Sequence, residues 1–228
     1  MRRLLAALLS SAILLPSLVH GQSVSPTRLD LDLREGNEAV LTLTATHPAA
    51  QALELSVRPY RTAQDAEKAQ TPFSVSPPQL LLQPGDTRQV RVRWHGTQQP
   101  QQSQSYYLVI EELNLRTRDS DDAGQINLLT TFKMPLHVFH GGEATLVATP
   151  GESPATIQLS NTGARFARLS HYRLEAENTS TDGITIARLL NRDALLPGET
   201  VSLPVADLGL PTSQLSSLRI AHARKGEE

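Results

Sequence analysis

Residues 126–138 read Ile126-Asn127-Leu128-Leu129-Thr130-Thr131-Phe132-Lys133-Met134-Pro135-Leu136-His137-Val138. Six of seven alternate positions are apolar (Ile126, Leu128, Phe132, Met134, Leu136 and Val138), with Thr130 the exception, and the interleaved set is mostly polar. A period of two is the mark of a β-strand with one apolar face. At about 3.3 Å per residue such a strand spans roughly 40 Å, about twice the usual length. The core of a small sandwich does not cover so long a stripe, so part of it is expected to be offered to another molecule. Exposed apolar strands invite aggregation and are generally suppressed. Keeping one implies a use.

Working outward, strand signals dominate. Leu29, Leu31 and Leu33 alternate with aspartates, Leu41 and Leu43 with threonines, and Val90, Val92 and Trp94 with Arg91 and Arg93. Leu53 to Val57, Phe73 to Val75 and Tyr106 to Ile110 supply further runs. Glu35-Gly36-Asn37, Pro77-Pro78, Pro84-Gly85-Asp86 and Asp121-Asp122-Ala123-Gly124 supply the turns between them. Residues 61–70 read as a polar loop in preference to a short helical turn. Seven or so strands without a strong helical stretch predict an antiparallel sandwich of immunoglobulin type. Gly141-Gly142 then interrupts the pattern as a hinge. Shorter strands are expected at 146–148, 157–159, 172–176, 184–190, 201–205 and 215–221, giving a second, smaller β-sandwich and an all-β chain. The domain limits are 22–140 and 143–228, with a frayed tail at 224–228.

Residues 1–21 read as a secretory signal peptide. Arg2 and Arg3 form the basic start, Leu4 to Leu15 the apolar stretch, and Pro16 ends it before a cleavage point at Gln22. That predicts an exported protein of about 207 residues, enough for two domains of roughly 100. The mature balance is 19 Lys and Arg against 23 Asp and Glu, a net −4 with His neutral, which lacks the basic footprint of a nucleic-acid binder. Cysteine is absent, so thiol chemistry, Cys-ligated zinc and blue copper are excluded, and stability rests on packed cores.

Several short motifs in order resemble the PapD-like periplasmic chaperones of the chaperone–usher pilus pathway. They are Val24-Ser25-Pro26-Thr27-Arg28, Phe73-Ser74-Val75-Ser76-Pro77-Pro78, Leu82-Gln83-Pro84-Gly85, Gln89-Val90-Arg91-Val92 and Ser105-Tyr106-Tyr107-Leu108-Val109-Ile110-Glu111-Glu112. In the second half, Leu159-Ser160-Asn161-Thr162-Gly163 and Leu195-Leu196-Pro197-Gly198 fall where that family carries Asn-x-Gly and Leu-Pro-Gly turns. The likeness covers nearly the whole mature chain, and order and spacing, not any single motif, carry it.

The resemblance implies two immunoglobulin-like sandwiches set at an angle in an L-shape. It also implies a non-enzymatic periplasmic chaperone that binds pilus subunits by donor-strand complementation and delivers them to an outer-membrane usher. The donor side chains would be Ile126, Leu128, Thr130 and Phe132. Arg28 and Lys133 would anchor the subunit's C-terminal carboxylate. Lys133-Met134-Pro135-Leu136-His137-Val138-Phe139 departs from the best-known branch and is closer to the one with a Pro-x-x-Val type ending. Pro135, which lacks a ladder donor, is expected to end or bend the lent portion. No cofactor, membrane insertion or small-molecule substrate is implied.

Other readings compete at each point. The alternation at 126–138 also suits a core strand of a closed sandwich, and Arg28 without the resemblance is an ordinary surface residue. His137 and His140 point to opposite faces of a strand and have no Cys or acidic ligand beside them, which argues against a metal pair. Asp119, Asp121, Asp122 and Gly124 faintly resemble an EF-hand loop, but Ala123 and Thr130 occupy ligand positions. Arg88, Arg91 and Arg93 read as a solvated sheet face. No Ser, His and Asp combination with nucleophile-elbow glycines supports a hydrolase. Asn178-Thr179-Ser180 matches a glycosylation acceptor, of little meaning in a bacterial periplasm. The alternative function class is a surface-displayed structural or adhesive β-sandwich protein.

Overall fold

In a computed structural model, which describes residues 22–60, 71–114, 129–177 and 179–223, the alternating runs form ladders. The first nine strands are β1 (Gln22–Ser25), β2 (Leu29–Asp32), β3 (Glu38–Ala45), β4 (Gln51–Pro59), β5 (Phe73–Ser76), β6 (Gln79–Leu82), β7 (Thr87–Trp94), β8 (Gln104–Leu113) and β9 (Thr131–Phe139). They make two sheets, ordered β1-β3-β7-β5 and β2-β9-β8-β4-β6. Leu41, Leu43, Val90 and Val92 from the first sheet meet Leu53, Leu55, Leu108, Ile110 and Leu136 from the second in one core. Period-two patterning explains this: on β7, Val90, Val92 and Trp94 are buried, while Arg91 and Arg93 face solvent and both reach Glu38 on β3.

The remaining strands share no ladder with these nine. They are β10 (Leu146–Pro150), β11 (Thr156–Asn161), β12 (Ala167–Arg168), β13 (Tyr172–Ala176), β14 (Thr179–Asp182), β15 (Ala194–Leu195), β16 (Thr200–Pro204) and β17 (Arg219–His222). They form sheets β10-β11-β16, β12-β15 and β14-β13-β17 around a second core that includes Ile157, Leu159, Leu174, Leu195 and Leu203. Both glycines of the Gly141-Gly142 connection lie in the left-handed region, at φ +69° and +77°, where a Cβ is strained. A side chain at 142 would also press on Ala164 Cβ at 3.2 Å.

Two expected strands are corrected. Residues 184–190 are not a strand: Gly183–Leu189 is a helix, α1, capped by Asp182, whose Oδ1 accepts from Thr185 N at 2.6 Å. Ile186 is buried and Leu190, four residues on, packs on the same core, so helical spacing prevails over the β preference of Ile184 and Ile186. Residues 215–221 divide into a 3-10 stretch at Thr212–Ser217 and β17. Ser217 Oγ donates to Gln214 O at 2.8 Å and accepts from Glu177 N at 3.2 Å, and such local bonds favour a turn over a ladder.

The Asn-x-Gly turn is built around Asn161, which is buried. Its Nδ2 donates to Arg165 O (2.8 Å) and Leu195 O (2.9 Å), and its Oδ1 accepts from Thr145 N (3.2 Å) and Gly163 N (3.0 Å). Asn161→Ala leaves four backbone groups without that partner. It is expected to cost about 2–4 kcal/mol of second-core stability, measurable by urea denaturation. Asn161→Asp, which cannot donate to the two carbonyls, is expected to cost at least as much.

Candidate functional site

Burial changes sharply along β9. Met134, Leu136 and Val138 are buried, whereas Phe132 is 37% exposed and Leu129 ahead of the strand 52%. Hydrogen bonding changes at the same place. β8 runs antiparallel to β9 from Gln104↔Val138 to Glu111↔Thr131. β2 runs parallel to it only from Leu29↔Leu136 to Asp32↔Phe139. Residues 131–135 therefore have one ladder neighbour among the described residues, and 136–138 have two. Pro135, with no N–H to give, stands at the boundary.

β9 is thus a core strand over its second half and an exposed, singly paired strand over its first. Of the expected donor side chains, Thr130 and Phe132 are exposed. Ile126 and Leu128 lie outside the described residues, as do the loop at 61–70, the acidic turn at 119–124 and the leader at 1–21.

Arg28 and Lys133, far apart in sequence, line one cleft of about 280 Å³ with His137 of β9 and Phe166, Arg168 and Arg192 of the second unit. Arg28 precedes β2, and its Nε donates to Asp30 Oδ2 at 3.1 Å. Arg168 on β12 donates to the same oxygen at 2.8 Å through Nη2. The Lys133 side chain makes no hydrogen bond or ion pair among the described residues. Arg192 is neutralised by a two-pronged pair with Glu199 (2.8 and 2.7 Å). Asp193, the acid of the described lining, accepts from Ser170 N (2.7 Å) and Oγ (2.9 Å). Arg28 and Arg168 share a single carboxylate and Lys133 has none, so this corner suits an incoming anion.

His137 sits in the joint between the two units. It is buried, accepts from or donates to Ser105 Oγ through Nδ1 at 2.8 Å, and stacks on Phe166 at 3.9 Å between ring centroids. Burial pushes its pKa down to about 3, helped by Arg28 and Arg165. The same joint is tied by Ser103: its N donates to Ala164 O (2.8 Å) and its Oγ accepts from Phe166 N (2.7 Å). Arg165 lies over the Phe139 ring at 3.9 Å. His140 is exposed, and no group of three metal-binding side chains occurs among the described residues.

Sequence reasoning missed Asp30, Phe166, Arg168 and Arg192. All four come from short strands or turns without a motif, and only tertiary contact gathers them.

The family model of the PapD N-terminal domain, described as a pili and flagellar-assembly chaperone, matches residues 21–140. No curated protein sequence matches the chain. Among solved structures, the Escherichia coli chaperone DraB is 13% identical, with 90% of this chain and 98% of that one covered at a TM-score of 0.59. The Pseudomonas aeruginosa CupB2 chaperone is 15% identical, covering 79% and 86% at 0.57. The chaperone–tip subunit complex of CsuC and CsuE from Acinetobacter baumannii is 15% identical, covering 82% and 91% at 0.54. Likeness at these identities establishes the two-domain β fold.

With His137 held neutral in the folded state and titrating near 6.5 when unfolded, the unfolded chain binds more protons between those values. Stability therefore falls as pH drops below 6.5. Between pH 7 and 5.5 the protein is expected to lose about 1 kcal/mol more than His137→Gln in urea denaturation. Equal losses would mean that His137 is not the titrating group.

Proposed function

The chain belongs to the PapD-like pili and flagellar-assembly chaperones, and from that membership we propose that it captures a pilus subunit by lending it the open half of β9 as a strand. The observation that carries this reading is the change along β9 from a buried, doubly paired half to an exposed, singly paired half. Main-chain groups on the open side supply ladder bonds, and alternate side chains enter the subunit's incomplete core. Ile126, Leu128, Thr130 and Phe132 are the donor set. Burying three or four such side chains contributes on the order of 5–10 kcal/mol before the entropic cost of association.

Arg28 and Lys133, at the end of this strand path, receive the subunit's C-terminal carboxylate. Supporting that role is the surplus of positive charge in the cleft and the unpartnered Lys133. Residues 1–21 direct export, residues 22–140 and 143–228 form the two domains, and the protein acts in the periplasm, passing its cargo to an outer-membrane usher. Its work is binding, not catalysis.

The test is periplasmic coexpression with a pilus subunit and recovery of the complex. Arg28→Ala is expected to reduce recovery at least tenfold, since a charge-assisted contact to a desolvated carboxylate is lost. The free protein's melting temperature should stay nearly unchanged, because a partly exposed ion pair adds little. Phe132→Asp is expected to abolish recovery while leaving the free protein folded, a charge being strongly disfavoured in an apolar groove. Unfolding of free Phe132→Asp, or normal recovery with either variant, would reject the corresponding role.

A further inference from the structure

A second cavity, of about 500 Å³, lies against the first and is lined by Asp30, Glu143, Arg165, Arg168, Tyr172 and His222 among others. Arg168 and Phe166 border both cavities, Arg28 only the cleft and Asp30 only the second cavity. The partition between them therefore contains the Arg28–Asp30–Arg168 bridge. We propose that Asp30 is a built-in stand-in for the subunit's terminal carboxylate. In the free chaperone it occupies Arg28 and Arg168, and Arg168 becomes a third anchor when cargo arrives. This rests on the reading of the cleft as a carboxylate receptor.

The geometry is that of a carboxylate receptor already filled. Two guanidinium nitrogens, from opposite sides of the joint, donate to one oxygen, Asp30 Oδ2, at 3.1 and 2.8 Å. The two donors can be no farther apart than the sum of those distances, so one group reaches both. Arg28 uses only Nε, which leaves its two Nη groups for a second carboxylate. Arg168 Nη1 is 3.1 Å from His171 Nε2, which fixes the plane of its guanidinium. Asp30 is held at a cost: desolvation raises its carboxyl above the usual range even with Arg28 beside it. An internal ligand bound at a cost is one that a better ligand displaces or shares.

The probe is N-acetyl-phenylalanine with a free carboxylate, titrated by NMR against its uncharged amide. Carboxylate binding is expected to tighten about fivefold in Asp30→Asn, to weaken about fivefold in Arg168→Gln, and to recover in Arg168→Lys. The amide should bind all forms alike. Unchanged or weaker carboxylate binding by Asp30→Asn overturns the stand-in, and unchanged binding by Arg168→Gln overturns the third anchor. If Asp30→Asn is not recovered folded, Asp30→Ser replaces it with the same expectation. Failure of the wild-type chain to copurify a pilus subunit would reject the chaperone reading by itself. Unchanged carboxylate affinity in Asp30→Asn with subunit capture intact would reject only the stand-in.

Discussion

The parallel ladder between β2 and β9 covers Leu136 to Phe139 and stops there, and much else depends on its shortness. The chain begins in one sheet, where β1 pairs with β3, and crosses within a few residues to the other, where β2 pairs with β9. Because the two strands are parallel, a ladder that began beside Thr131 would have given the first half of β9 a second neighbour. Because it begins only at Leu136, Met134, Leu136 and Val138 close the protein's own core while Thr131, Phe132 and Lys133 stay exposed. The crossing also delivers Arg28 and Asp30 to the end of the open edge, so an unfilled strand position and a cationic corner arise from one turn of chain.

Period-two patterning made most first-half strands legible, because each leucine or valine run there faces one core and one solvent. The rule failed in the second half where the unit is small and its elements short. Ile184 and Ile186 carry β preference, yet an Asp182 cap and the Ile186/Leu190 spacing make the segment helical. Thr212–Ser217 is set by side-chain bonds to backbone that no hydrophobic pattern announces. Arg28 could be named through the motif around it, and Lys133 as the one Lys or Arg in the stretch 126–138. Arg168 could not, since it meets Asp30 across a separation of 138 positions, and contacts of that range leave no periodic trace in a sequence.

His137 shows how a residue's neighbours decide its chemistry. Read along the chain, it lies three residues from His140, and their strand spacing argues against a metal pair. In the fold it is a flat, neutral filler between Ser105 and Phe166, and two nearby arginines make its protonation still less favourable. The joint between the sandwiches is thus stacked and aromatic where it is buried, and ionic only at its rim, where Asp30 and Arg168 meet. This division follows the cost of desolvating charge.

The Ser103 contacts have a consequence for how freely such a sequence can diverge. One bond runs from the main chain of Ser103 to the main chain of Ala164, and the other from a hydroxyl to the main-chain N–H of Phe166. Atoms common to every residue type do most of this fastening, so substitution at position 164 is invisible to it provided the backbone path persists. Only position 103 needs a short hydroxyl. That part of the joint, written largely in backbone, tolerates turnover of side chains on either side of it. Two sandwiches can therefore keep the same relative placement in proteins whose sequences have little left in common.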